Sequence, residues 1–256
     1  MPSMNLPDNL LTVTFGFKGR SVPFHFREGS IGDEGVIKNI FQDLDYDISC
    51  WPQGRRLAEY HLEQCARRPS LIIDAGANIG ASALYFLNLY ENAFVFAIEP
   101  DVNNWQLLEL NTQDYPAKTN FLGAIAEQDG ELLLEDPGHS DWGFRTRPVS
   151  AADAAAPGVK ARVRSISPDT ILSDPRVAAM TPLIFKIDIE GGEDRLFSGD
   201  TSWMTKFALI IVELHDWMLP FTGCSRNFLK AAAHYDFDLV HKSENIFLFN
   251  REILSR

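Results

Sequence analysis

Six ionisable side chains stand where short apolar runs give out. Asp74 closes LIID, Glu99 closes AFVFAIE, Asp188 and Glu190 close PLIFKIDIE, and Glu213 and His215 close FALIIVELH. Runs of this length, rich in aliphatic residues and bounded by turn residues, read as buried strands. In an open α/β sheet, ligands bind beyond the carboxyl ends of the strands. Acids gathered there can hold hydroxyl groups, take up protons or ligate a cation. Acids also cap helices, so one or two would mean little. Here four of five predicted parallel strands end in them.

The first run continues as Asp74-Ala75-Gly76-Ala77-Asn78-Ile79-Gly80. A dinucleotide-binding turn reads G-x-G-x-x-G, whereas an acid stands here in place of the first glycine and the two glycines lie four apart. A carboxylate in the turn repels a pyrophosphate, which argues against a nicotinamide dinucleotide. It suits a ligand with an amine and a sulfonium. S-adenosylmethionine has both, plus a carboxylate that the helix N-terminus after Gly80 can hold. Glu99, at the end of the next strand, is placed to accept from both ribose hydroxyls. The competing reading, a strand–turn–helix with nothing bound, is disfavoured by Glu99 in register.

Strand alternation puts Lys186, Asp188 and Glu190 on one face, with Ile187 and Ile189 on the other, and pairs Glu213 with His215. If the two strands are neighbours, a lysine, several carboxylates and a histidine converge at one edge of the sheet. His215 is then the expected base, with Asp188 or Glu190 orienting an acceptor hydroxyl. Lys186 joins them or is tied up in ion pairs with the acids. The cluster has the donors for Mg²⁺ or Ca²⁺, yet the expectation is that no metal is bound, because the cofactor's positive sulfur answers part of the charge. Trp142 and His139 are candidates to stack on a sugar face, though Trp142 serves packing equally well.

The elements that must position these groups fall into two parts. Residues 1–66 read as an N-terminal α+β cap: a β-hairpin over 11–26 turning at Lys18-Gly19, then two helices, one marked by Val36, Ile37, Ile40, Phe41 and Leu44, the other over 55–66. Structural support and contact with substrate are equally open for this cap. Residues 67–256 read as one doubly wound, Rossmann-like domain whose mostly parallel sheet ends in an antiparallel hairpin strand. Its third strand is expected over 120–126. A β insertion with an alanine-rich tip, SAADAAAPG, interrupts it at about 127–165.

Bulk properties narrow the class. At 256 residues and 45% hydrophobic content the chain can bury a large core. A formal charge of −12 argues against a nucleic-acid partner or an anionic membrane. Cys50, Cys65 and Cys224 form no metal or disulfide spacing and read as reduced thiols. Neither a signal peptide nor a membrane-length apolar run is visible, so a cytoplasmic protein acting on a small molecule is expected. A homo-oligomer is allowed for.

Several stretches resemble the FkbM family of S-adenosylmethionine-dependent methyltransferases: IIDAGANIGASALYF, FAIEPDVNNWQLLELN, FKIDIEGGEDRLF, IIVELH and ENIFLFNRE. They span about 70–256, and KIDIEGGE is the specific one. The resemblance implies a seven-stranded class I methyltransferase sheet and, usually, O-methylation of a hydroxyl on a sugar, polysaccharide precursor or secondary metabolite, so a small-molecule or glycan acceptor. Carried over by position, Asp74, Gly76, Ala77, Asn78 and Gly80 form the cofactor turn. Glu99 with Pro100 holds the ribose, Asp101 and Asn104 lie near the adenosine, and Ala124 and Ile125 flank the adenine. The alternative is a binding or regulatory module with this fold and no turnover; the intact KIDIEGGE and VELH favour an enzyme.

Overall fold

The computed structural model describes residues 6–138, 143–149 and 158–255. The chain opens with the predicted hairpin, β1 (Leu10–Phe17) and β2 (Arg20–Arg27). Its turn residues Lys18 and Gly19 take φ of 46° and 81°, as a two-residue turn matched to strand twist requires. Helix α1 (Ile31–Ile37) begins with Ser30 accepting from the Asp33 amide and runs on as a π-helical turn to Gln42. This helix starts earlier than its apolar spacing indicates, because the Ser30 cap lies upstream of that pattern. Helix α2 (Pro52–Cys65) follows, with proline in its first turn.

The central sheet is built from β3 (Ser70–Ala75), β4 (Ala93–Glu99) and β5 (Lys118–Leu122), with helices α3 (Ala81–Leu89) and α4 (Val102–Asn111) between them. The expected strand over 120–126 is broken at Gly123. A Cβ there would meet the Phe121 ring at 2.3 Å and the Arg164 carbonyl at 2.5 Å, so the chain turns away. Residues Ala124–Ile125 (β6) leave the central sheet and pair with the insertion instead. The insertion supplies β7 (Gly130–Glu135), β8 (Arg145–Pro148) and β9 (Val159–Ile166), in a second sheet of order β6-β9-β7-β8. His139, Trp142 and residues 150–157, most of the alanine-rich stretch, lie outside the described residues.

Helix α5 (Pro168–Ser173), capped by Ser167, leads into β10 (Thr181–Ile187). Helix α6 (Glu193–Leu196), β11 (Leu209–Glu213), α7 (Arg226–His234), β12 (Phe237–Lys242), β13 (Asn245–Asn250) and α8 (Arg251–Leu254) complete the chain. The seven-stranded order is β12-β13-β11-β10-β3-β4-β5. All neighbours are parallel except β13, which is antiparallel to both β11 and β12. This is the expected mostly parallel sheet with its last strand antiparallel.

Alternation along the strands divides the core in two. Ile72, Val95, Ile184 and Ile211 face one layer with Leu84, Phe86 and Leu108 of α3 and α4. Ile73, Phe96, Phe185 and Val212 face the other, with Trp203, Phe207 and Phe228. The hairpin joins the first layer through Val22 and the fully buried Phe24. Phe15 stacks on Phe41 at 3.9 Å between centroids. The N-terminal segment therefore shares the core of the sheet it covers. Among the described residues no helix is long and apolar enough to cross a membrane.

Candidate active site

Strand order reverses between β10 and β3, where a crevice forms beyond the strand ends. Across this boundary Lys186 is in register with Asp74, and Ile187 with Ala75. The Lys186 side chain is 2% exposed; its Nζ lies 3.3 Å from Asp74 Oδ1 and 3.4 Å from Asp188 Oδ2, and donates to the Gly76 carbonyl at 2.6 Å. Burial lowers its proton affinity, but the charges of Asp74 and Asp188 outweigh it and hold the ammonium above the ordinary lysine range. Gly76 (φ 77°) backs onto the chain leaving β10: a Cβ there would lie 1.7 Å from the Asp188 carbonyl oxygen. Only glycine fits.

Asp74 does not behave as the sequence suggests. It is fully buried, its Oδ2 accepts from Ser82 Oγ at 2.6 Å and its Oδ1 faces Lys186. With both oxygens turned to the protein, it lies behind the cavity wall instead of facing a ligand's amine. Gly80 (φ 93°) starts α3 against Leu108. Asp101 caps α4, accepting from the Asn103 and Asn104 amides, and pairs with Lys160 at 2.6 Å. Neither Gly80 nor Asp101 lines the cavity.

The cavity of about 360 Å³ in this crevice takes the other expected cofactor residues, and its size falls in the range of small-molecule sites. Gly76, Ala77, Asn78, Glu99, Pro100 and Asn104 line one end, with Ala124 and Ile125 beside them. Glu99 is held there by two backbone donors at 2.9 Å, the amides of Asn78 and Asp101. Burial pushes its carboxyl up to about 7 against those donors. Asn104 Oδ1 accepts from Arg27 at 2.9 Å, and Arg27 is in turn paired with Asp33. The N-terminal segment thus braces this end. It also reaches the cavity itself through Ile31, Gly35, Val36, Asp45 and Tyr46, while Phe144 and Thr146 enter from the insertion.

The opposite end is ionic. Strand β10 ends one residue before Asp188 and three before Glu190, and β11 ends at Glu213, two before His215, so turns and not continued alternation bring Asp188, Glu190 and His215 together. Glu190 takes φ 56° and Gly191 φ 95° as the chain reverses into α6. His215 is 1% exposed, and its Nδ1 lies 2.9 Å from Glu193 Oε1. Its Nε2 faces Asp188 Oδ1 at 3.6 Å, Glu190 Oε2 at 3.4 Å and Glu213 Oε1 at 3.6 Å. Burial alone would depress the imidazole's proton affinity. The hydrogen bond to Glu193 and the charges of Glu193, Asp188 and Glu190 reverse this and push it up to about 10. Burial, then the charge of Asp188, raises the carboxyls of Glu190 and Glu213. A histidine so surrounded holds its proton near neutrality, which weakens the expectation that it is the free base.

Three residues at this end escape the sequence. Glu193 stands in the quoted EGGE stretch but reads there as an ordinary first-turn acid. Tyr46, 7% exposed, carries a phenol whose proton affinity is raised by burial and, despite the opposing charge of Lys186, by Asp188 and Asp74; nothing around it marks it locally. Trp217, 62% exposed, lines the mouth.

A model of the methyltransferase FkbM domain matches residues 74–246. The comparison with curated proteins gives no match. Among solved structures, the chain is similar to a putative O-methyltransferase from Klebsiella pneumoniae, at 12% identity over 85% of this chain and 89% of that one, with a TM-score of 0.42. It is also similar to human methyltransferase-like protein 13 in complex with SAH (12% identity, 79% and 80% covered, TM-score 0.40). A third is a precorrin-6y C5,15-methyltransferase from Geobacter metallireducens (10% identity, 75% and 84% covered, TM-score 0.37). The family model alone assigns the chain.

Proposed function

Because the chain belongs to the FkbM methyltransferase family, we propose that it transfers the methyl group of S-adenosylmethionine to a hydroxyl of a sugar, polysaccharide precursor or secondary metabolite. The observation that carries this reading is a single cavity with two unlike ends: the glycine turn and Glu99 at one, the His215 cluster at the other.

The residues of the first end fit the cofactor. Asn78 Oδ1 is buried without a hydrogen-bond partner and lies on the cavity wall, an acceptor that a ligand donor would satisfy. Glu99 keeps unused lone pairs for hydroxyl donors beyond the two amides that hold it. Small side chains (Gly76, Ala77 and Ala81) leave room for close approach. When bound, the cofactor supplies a methyl group already activated on a sulfonium. The protein's task is to hold a nucleophile in line and remove its proton.

At the second end, the carboxylates of Asp188, Glu190 and Glu213 accept and orient the acceptor's hydroxyl proton. His215, fixed by Glu193, supplies the positive charge that keeps them together. Lys186 ties Asp188 to the cofactor turn through the Gly76 carbonyl, so it positions and does not react. Residues 1–66 act as a cap that braces the cofactor end through Arg27 and reaches the ionic end through Tyr46.

The test has two arms. S-adenosylhomocysteine should raise the melting temperature by mass action, and NAD and NADP should not. Incubation of polyhydroxylated acceptors with methyl-labelled S-adenosylmethionine should give an O-methyl ether by NMR. Label found on nitrogen or carbon instead refutes the hydroxyl acceptor.

A further inference from the structure

Resting on the reading above only for its place beside the acceptor, we infer that Asp188, Glu213 and His215 form a binding site for a divalent transition-metal cation of the Mn²⁺ or Zn²⁺ class. One ligand atom from each lies within 4.8 Å of the other two. Bonds of ~2.1 Å to a shared ion place neighbouring ligand atoms ~3.0–3.4 Å apart, and His215 Nε2 stands 3.6 Å from both Asp188 Oδ1 and Glu213 Oε1. Small side-chain rotations close that gap.

The imidazole is prepared in the way metal-ligating histidines are. A carboxylate only accepts, so the Glu193 contact at 2.9 Å keeps a hydrogen on Nδ1, and Nε2, which faces Asp188, Glu190 and Glu213, ligates by giving up its proton to solvent as the ion arrives. Metal-bound histidines commonly carry such an outer carboxylate. Among the described residues Nε2 meets only carboxylate oxygens, at 3.4–3.6 Å, although His215 is 1% exposed and lines the cavity. Glu190 Oε2, 3.4 Å from it, is buried and without a hydrogen-bond partner. Polar atoms left this way are costly unless something binds them.

Charge points the same way. Four carboxylates (Asp188, Glu190, Glu193 and Glu213) surround the ring, and Lys186 is shared between Asp188 and Asp74. The imidazole nitrogen selects among cations: Mg²⁺ and Ca²⁺ prefer all-oxygen shells, while mixed nitrogen and carboxylate sets suit first-row transition ions. This departs from the expectation of a metal-free site, which counted the cofactor's sulfonium as the answering charge.

The experiment uses the full chain stripped with EDTA and titrated with MnCl₂, bound ion being read from the electron paramagnetic resonance signal of free Mn²⁺. One ion per chain is expected. Asp188→Asn and Glu213→Gln, at partly exposed positions, should each weaken binding at least tenfold, and Glu193→Gln should weaken it by ~10–100-fold. Glu252→Gln, at an exposed acid of α8 outside the cavity lining, should leave it unchanged. No saturable binding, or equal losses in all four variants, overturns the site in favour of diffuse counter-ion attraction. The melting-temperature response to S-adenosylhomocysteine is recorded on every sample. A retained response without Mn²⁺ binding removes the metal site and leaves the methyltransferase reading standing.

Discussion

The two ends of the cavity are built on opposite principles. At the cofactor end, each charged group is held by amides, a hydroxyl or a cation of the protein before any ligand arrives. Glu99 is held by two amides, Asp101 by two amides and Lys160, and Asp74 by Ser82 and Lys186. At the acceptor end, Glu193 holds only the Nδ1 side of His215, and Nε2 faces three carboxylates at 3.4–3.6 Å without hydrogen bonds. The first end is preorganised for a ligand whose shape is constant. The second stores unspent electrostatic interaction that only an incoming proton, cation or acceptor relieves. Binding energy and turnover are therefore separable by mutation.

His215→Ala is the sharpest way to break the comparison. It should lower the rate of methyl transfer by ~10²–10⁴-fold, because the carboxylates that take the hydroxyl proton lose the charge that keeps them together, while S-adenosylhomocysteine affinity by calorimetry stays near wild type. Equal loss of both would mean that the two ends are one site. Lys186→Met comes next, because it removes the cation between Asp74 and Asp188. Stranding buried carboxylates costs ~3–5 kcal/mol, measurable as a lower midpoint in urea. A variant as stable as wild type would show that the ion pair is dispensable.

Glu99→Ala tests the preorganised end alone. Losing bonds to a charged acceptor should weaken S-adenosylhomocysteine by ~1.5–3 kcal/mol, with little change in turnover at saturating cofactor. The smallest effect is one of pH. Glu99 has its carboxyl raised from 4.5 to about 7 in the folded chain. The ligand-free protein therefore gains stability from this group below about 4.5 and loses it as pH rises through about 7. Hydroxyl donors favour the ionised form, so affinity for S-adenosylhomocysteine should rise from pH 6 to 8, by at most about tenfold per unit for one proton. In Glu99→Gln that slope should vanish; a slope that survives assigns the proton elsewhere.

Much of this was legible in the residues because it is local. Aliphatic runs ending in acids marked the strands and placed Glu99, Asp188 and Glu213 at the same edge of the sheet. What escaped depends on partners far along the chain. The strand expected over 120–126 breaks because Gly123 meets the Arg164 carbonyl. Asp74 turns inward because Ser82, the second residue of α3, donates to its oxygen. Glu193 becomes a partner of His215 only when the end of β11 folds over α6. Tyr46 enters the wall by the docking of the whole N-terminal segment, which no periodicity reports.

The contact between Gly76 and the Asp188 carbonyl gives the two ends a common wall with no slack. A ligand that settles the glycine turn also settles the backbone that carries Asp188, and an acceptor or ion that pulls on Asp188 presses back on the turn. Occupancy at the two ends is then linked. Whatever factor the cofactor adds to acceptor affinity, the acceptor must return to cofactor affinity, so a productive acceptor should slow release of S-adenosylmethionine until transfer is complete.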